Sequence, residues 1–105
     1  MVEIIKNNDI KKAASADVAV IDFNATWCGP CRMLAPVLEE VSEEMKDSVN
    51  FFSCDCDENG ELARQFGIMS IPAVVVLKKG QQTGMSVGFL PKEALVDFIK
   101  KSIAK

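Results

Sequence analysis

The run Val18-Ala19-Val20-Ile21-Asp22-Phe23-Asn24 is apolar at successive positions rather than alternate ones. A strand that is apolar on both faces must be covered on both faces, so it belongs inside a sheet with a layer above and below. The next segment says what kind of layer. Beyond Cys31, the residues Leu34, Val37, Leu38, Val41 and Met45 form one helical stripe, and Glu39, Glu40, Glu43 and Glu44 fall off it. Pro36 lies within the stripe and predicts a kink, because it has no N–H to donate and crowds the preceding turn.

The rest of the chain keeps this alternation. Val2–Ile5 reads as a first strand, and Asn8 or Asp9 as the cap of a short helix reaching about Ala16. Val49–Asp55 reads as a third strand, and Glu61–Phe66 as a short helix stopped by Gly67. The β-branched run Ala73–Leu77 reads as a buried fourth strand. A turn at Lys79-Gly80-Gln81 returns the chain as a fifth strand, Gly84–Val87. Pro91 suits the first turn of a last helix with Leu95, Phe98, Ile99 and Ile103 on its apolar face. The predicted order is β-α-β-α-β-α-β-β-α. This is an α/β fold over residues 1–105 as a single domain, with a central mixed sheet and helices on both faces.

Composition narrows the function. Acids outnumber bases 15 to 12, so no basic surface for nucleic acid is expected. No apolar run is long enough to suggest a membrane partner. The start, Met1-Val2-Glu3-Ile4-Ile5-Lys6, lacks the pattern of a secretory signal, which points to a cytoplasmic protein. There are no histidines, which excludes Ser-His and Cys-His catalytic pairs and His-ligated metals. Four cysteines remain: Cys28, Cys31, Cys54 and Cys56.

Trp27-Cys28-Gly29-Pro30-Cys31 sits between a buried strand and a long helix. Unbonded N–H groups and partial positive charge gather at a helix N-terminus, and a thiolate placed there is stabilised. A larger thiolate fraction near neutral pH means a better nucleophile. The two intervening residues bring the second sulfur within bonding reach of the first. Gly29 and Pro30 let the turn close. On this reading Cys28 is exposed and reactive, and Cys31 is more enclosed. Two competing uses are a structural disulfide and a zinc site built from all four thiols. Against zinc, Cys54-Asp55-Cys56 falls on a strand with the wrong spacing for a second knuckle.

The sequence resembles the thioredoxin family over nearly its whole length. The resemblance rests on Asp22-Phe23 with Ala25, Trp27-Cys28-Gly29-Pro30-Cys31-Arg32, Ala35-Pro36, Phe66-Gly67-Ile68, Ile71-Pro72, Lys79-Gly80 and Val87-Gly88. A lowered thiol pKa in the two-cysteine motif is a known property of that family. The resemblance implies a thioredoxin fold and a redox-active Cys28–Cys31 disulfide, with Cys28 attacking and Cys31 resolving. It implies that Asp22 is a buried acid that helps proton transfer at Cys31, and that Trp27 stands beside the active-site turn. It also implies a cis bond at Pro72, backbone groups of Ile71 offered to a bound target, and a small residue, Gly88, that leaves the target room.

The activity so implied is protein-disulfide reduction, with no bound cofactor and no metal. Electrons would come from NADPH through thioredoxin reductase. Targets of the family's kind are peroxiredoxins, methionine sulfoxide reductases and ribonucleotide reductase, and the protein would act as a monomer. A disulfide isomerase would usually have His between the cysteines, and a non-catalytic binding subunit would use the same surface without turnover. The chain departs from the family pattern at Asn24, where a second tryptophan is common, and at Thr26. It departs again at Ser53, where many relatives have lysine, and at Met69 and Ala73 around Ile71-Pro72. These departures bear on docking and on the proton path at Asp22. Cys54 and Cys56 are expected on one face of the third strand, turned away from the active-site layer, buried and inert.

Overall fold

The doubly apolar run forms the centre of a five-stranded sheet. The structure is a computed structural model and describes residues 1–105. Its elements run β1 (Val2–Ile4), α1 (Lys11–Ser15), β2 (Val18–Asn24), α2 (Gly29–Glu44), β3 (Asn50–Asp55), α3 (Gly60–Gln65), β4 (Ala73–Lys78), β5 (Gln81–Val87) and α4 (Lys92–Ile103). The strand order is β1-β3-β2-β4-β5. β3 is parallel to both β1 and β2, whereas β4 is antiparallel to β2 and β5. The sheet is therefore mixed, as the crossover helices and the late hairpin require.

Side-chain alternation along the strands divides the core into two layers. On one face Ile21, Phe23, Phe52, Cys54, Val75 and Leu77 pack with Ala13 of α1 and Leu62 of α3. On the other, Val20, Phe51, Val74 and Val76 pack with Leu34, Leu38 and Val41 of α2 and Leu95 and Ile99 of α4. Asp22 shares the second face by its parity with Val20. The register sets it opposite Ser53 on β3 and Val74 on β4.

Several ends differ from the sequence expectation for local reasons. β1 stops at Ile4, although the Ile5 N–H still bonds the Ser53 carbonyl at 2.9 Å. Asp9 accepts from the Lys11 N–H at 3.0 Å and so serves α1. Asn8 instead caps a different helix: its Oδ1 accepts from the Leu62 N–H of α3 at 3.0 Å. Asn59, fully buried, accepts from the Asn8 N–H and donates to the Ile5 and Asp55 carbonyls, which ties the loop after β1 to the start of α3. α2 begins at Gly29, ahead of Cys31, and continues through Pro36.

The hairpin turns at Lys79 and Gly80, both with positive φ (51° and 81°), the twist that suits a two-residue connection. β5 starts earlier than expected, at Gln81, because a bulge opposite Val76/Leu77 absorbs Thr83 and keeps the pairing going. At Gly84 the backbone lies so close to α4 that a Cβ would collide with Ser102 and crowd Phe98.

Candidate active site

The site begins where β2 ends. Ala25 and Thr26 carry the chain off the sheet, and the Cys28 N–H bonds the Ala25 carbonyl at 3.3 Å, which closes the turn. Cys28 is the N-cap of α2, and its Sγ accepts from the Cys31 N–H at 3.2 Å. Pro30 stands in the first turn, where its missing N–H leaves no bond unmade. Cys28 and Cys31 are joined by a disulfide, with Cα atoms 5.3 Å apart. The expectation of an exposed Cys28 beside an enclosed Cys31 needs correction. In the oxidised form both are buried, at 5% and 4% exposure, because Ala25 and Ile71 pack against the pair. The two differ in place rather than in exposure. Cys28 caps the helix beside Ile71, and Cys31 lies one turn in, over the Asp22 cavity.

The Ile71–Pro72 peptide bond is cis. The Ile71 carbonyl oxygen lies 3.9 Å from Cys28 Sγ. Gly88 closes this loop from β5, its N–H bonding the Pro72 carbonyl at 2.7 Å. Its φ of +102° is one that side-chain-bearing residues rarely adopt, and a Cβ there would meet nothing within 4 Å. Trp27 is exposed, not core, and its indole N–H donates to the Asp57 carboxylate at 2.8 Å. The three segments that meet here also carry the exposed apolar side chains Met33, Met69, Val87 and Phe89.

Beneath Cys31 lies a cavity of about 350 Å³, lined by Asp22, Asn24, Thr26, Cys31, Arg32, Glu39 and Ser53 among others. Asp22 is 2% exposed. Burial pushes its carboxyl up to about 6, against the opposing pull of a hydrogen bond from Asn24. Its Oδ1 has no hydrogen-bond partner. Asn24 Nδ2 lies 3.3 Å from Asp22 Oδ2, 3.0 Å from the Asp22 carbonyl and 2.8 Å from Ser53 Oγ. Arg32 is turned onto the Thr26 carbonyl at 2.9 Å.

Cys54 and Cys56 are free thiols. Cys54 is fully buried on the face opposite Asp22, and burial pushes its thiol up to about 12. Cys56 packs against the same layer but is only half-buried, which corrects the expectation that both are enclosed. Its thiol is also raised, by burial and then by Asp55 and Asp57. No three Cys, Asp or Glu side chains converge as a metal centre would need.

Sequence reasoning named Asn24 and Ser53 as departures but not as partners. It passed over Asp57 altogether. The β2–β3 register is what joins the first pair, and no local motif encodes it.

A family model described as Thioredoxin matches residues 3–101. The chain belongs to the thioredoxin family. It is 48% identical to the thioredoxin of Bacillus subtilis (strain 168), an alignment covering 95% of this chain and 98% of that protein. It is 42% identical to the thioredoxin of Listeria monocytogenes, covering 98% and 100%. Among solved structures, chloroplastic thioredoxin z superposes with a TM-score of 0.85 at 36% identity, covering 99% of this chain and 96% of that one. The thioredoxin of Malassezia sympodialis gives a TM-score of 0.86 at 37% identity, covering 97% and 91%. The fold is thus the thioredoxin fold, and the chain is a dithiol–disulfide oxidoreductase that acts on protein disulfides. Thioredoxins need no bound cofactor for this chemistry.

Proposed function

We propose that this thioredoxin is a general protein-disulfide reductase in which Cys28 attacks and Cys31 resolves. The observation that carries the reading is the position of Cys28 as the cap of a 16-residue helix, its sulfur held on the Cys31 N–H. In the reduced protein the Cys28 thiolate attacks one sulfur of a target disulfide. A Cys28–target mixed disulfide forms, and the other target sulfur leaves as a thiolate. The Asp22 carboxylate takes the Cys31 proton, and the Cys31 thiolate attacks the Cys28 sulfur. The target's second sulfur departs and is protonated, so the target gains two electrons while the Cys28–Cys31 disulfide reforms.

Target docking is assigned to Trp27, to the Ile71 backbone beside Cys28, to Pro72 and to the open space over Gly88. An extended target segment fits there by adding to the exposed backbone as a strand would. Gly29 and Pro30 shape the turn. The same reading makes residues 1–105 one domain, monomeric and cytoplasmic. It is re-reduced by thioredoxin reductase with electrons from NADPH, and it serves targets such as peroxiredoxins, methionine sulfoxide reductases or ribonucleotide reductase. The test is reduction of a disulfide-bonded protein under dithiothreitol, with and without the chain. Wild type should accelerate it, and Cys28→Ser should not. Equal turnover by the two would remove Cys28 from its role.

A further inference from the structure

We propose that Asn24 is the positioning residue for Asp22, holding one carboxylate oxygen and the Ser53 hydroxyl together so that the other oxygen stays unengaged beside the cavity Cys31 lines. The inference deepens the proposed function and rests on its reading of Asp22 as the proton carrier for Cys31.

The geometry follows from the sheet. Residues two apart on a strand share a face, so Asn24 is the next side chain after Asp22 on the α2 side. The parallel register brings Ser53 directly opposite Asp22. The Asn24 carboxamide therefore stands within reach of both and contacts Asp22 Oδ2 at 3.3 Å and Ser53 Oγ at 2.8 Å. No other side chain donates to the Asp22 carboxylate, and Oδ1 is buried without a partner.

The charged and titratable neighbours do not replace this contact. From α2 the cavity receives Cys31, Arg32 and Glu39, but Arg32 is committed to the Thr26 carbonyl. From β3 the cavity receives Ser53, while the raised thiols Cys54 and Cys56 lie across the sheet, where their charged forms would only oppose a charge on Asp22. β4 presents Val74, and β1 contributes Val2 and Ile4 to the cavity. A neutral amide thus does the orienting here, where a lysine at position 53 would instead supply charge. An N–H given to a carboxylate favours its ionised form. Asn24 then sets the pH above which Asp22 can accept the Cys31 proton.

The test follows Asp22 and the reaction separately in Asn24→Leu, which keeps side-chain size but has no donor, with Asn24→Ala as a second probe. The Asp22 carboxyl is titrated by 13C NMR in the oxidised protein. Release of target thiol is timed by stopped flow at saturating peptide disulfide from pH 5 to 9. Losing a hydrogen bond of ordinary strength should raise the Asp22 midpoint by about 0.5–1 pH unit. Release at pH 6, close to the wild-type midpoint of about 6, should fall about twofold to fivefold by the same shift and recover at high pH. Adding Ser53→Lys to Asn24→Leu should bring the midpoint back down, which a purely structural defect would not allow. An unmoved midpoint in both Asn24 variants overturns the proposal. A raised midpoint with an unmoved release profile overturns the role of Asp22 in the reaction, and with it any part for Asn24.

Discussion

The Trp27 indole N–H donates to the Asp57 carboxylate at 2.8 Å, although 68% of Trp27 is exposed. An exposed ring held in one orientation has less freedom to lose when a target lies against it.

Asp57→Ala should therefore weaken target binding by about twofold to tenfold, the equivalent of immobilising one large side chain on association. Stability should change by less than about 1 kcal/mol, because the bond lies at the surface. Isothermal titration of a mixed-disulfide mimic together with urea unfolding would check both. Unchanged affinity would make the contact ornamental to docking.

Cys31→Ser should accumulate a stable mixed disulfide through Cys28, and Cys28→Ser should accumulate none. With both residues almost equally buried in the oxidised form, the difference has to come from the place of Cys28 at the cap of α2. Mass spectrometry of adducts formed with a disulfide-bonded target gives the result directly. Faster alkylation of Cys31 than of Cys28 in the reduced wild type would reverse the roles.

Asp22 gives a pH-dependent stability with a definite sign. Its carboxyl rises from 3.8 to about 6 on folding. Between those values the folded state holds a proton that the unfolded state has lost, so stability falls as pH rises through this window and levels off above it. The full penalty for ionising the buried acid is about 3 kcal/mol at pH 7. Asp22→Ala should be more stable than wild type by about 1–3 kcal/mol at pH 7, after some loss of packing. The gain should vanish near pH 4. Release of reduced target should slow more than the first attack. A variant that is less stable at pH 7 and releases normally would contradict both expectations.

In the native oxidised protein two thiols should titrate, Cys56 ahead of Cys54. Cys54 is fully buried and its thiol is pushed up to about 12, whereas Cys56 is half-buried. Replacing both with Ala should leave disulfide reduction nearly intact and cost about 1–2 kcal/mol, the scale for deleting one small buried group. Detection of bound zinc, or of no free thiol, would defeat this account.

Asn59→Ala should be the costliest of these changes, at about 2–4 kcal/mol, since it strands the buried Ile5 carbonyl and the Asn8 N–H together, whereas the Asp55 carbonyl keeps the Asn59 backbone N–H. Chemical denaturation at neutral pH measures it. A loss below about 1 kcal/mol would mean that water replaces the side chain without penalty.

Features that depend on local pattern were readable in advance. The doubly apolar β2, the stripe of α2, the Cys28–Cys31 turn and the raised acid at Asp22 are all set by neighbours in the chain. What could not be read depends on register and on long-range caps. Nothing near Asn8 says that its side chain will cap α3, because the Leu62 N–H is supplied by a segment far along the chain. The Asn24–Ser53 contact exists only because β3 lies parallel to β2 in one register. The burial of Cys28 likewise comes from Ile71, brought over by a different loop.

Gly84 has a consequence for how the fold can be varied. A Cβ at this position would collide with Ser102 and crowd Phe98, so β5 and α4 share one steric boundary with no slack. In chimeras between relatives, these two segments should be inherited as one block. A crossover between residues 88 and 91 that imports a partner helix with a bulkier residue at position 102 would lift α4 off the sheet. A crossover before Gln81 would carry the matched pair across intact.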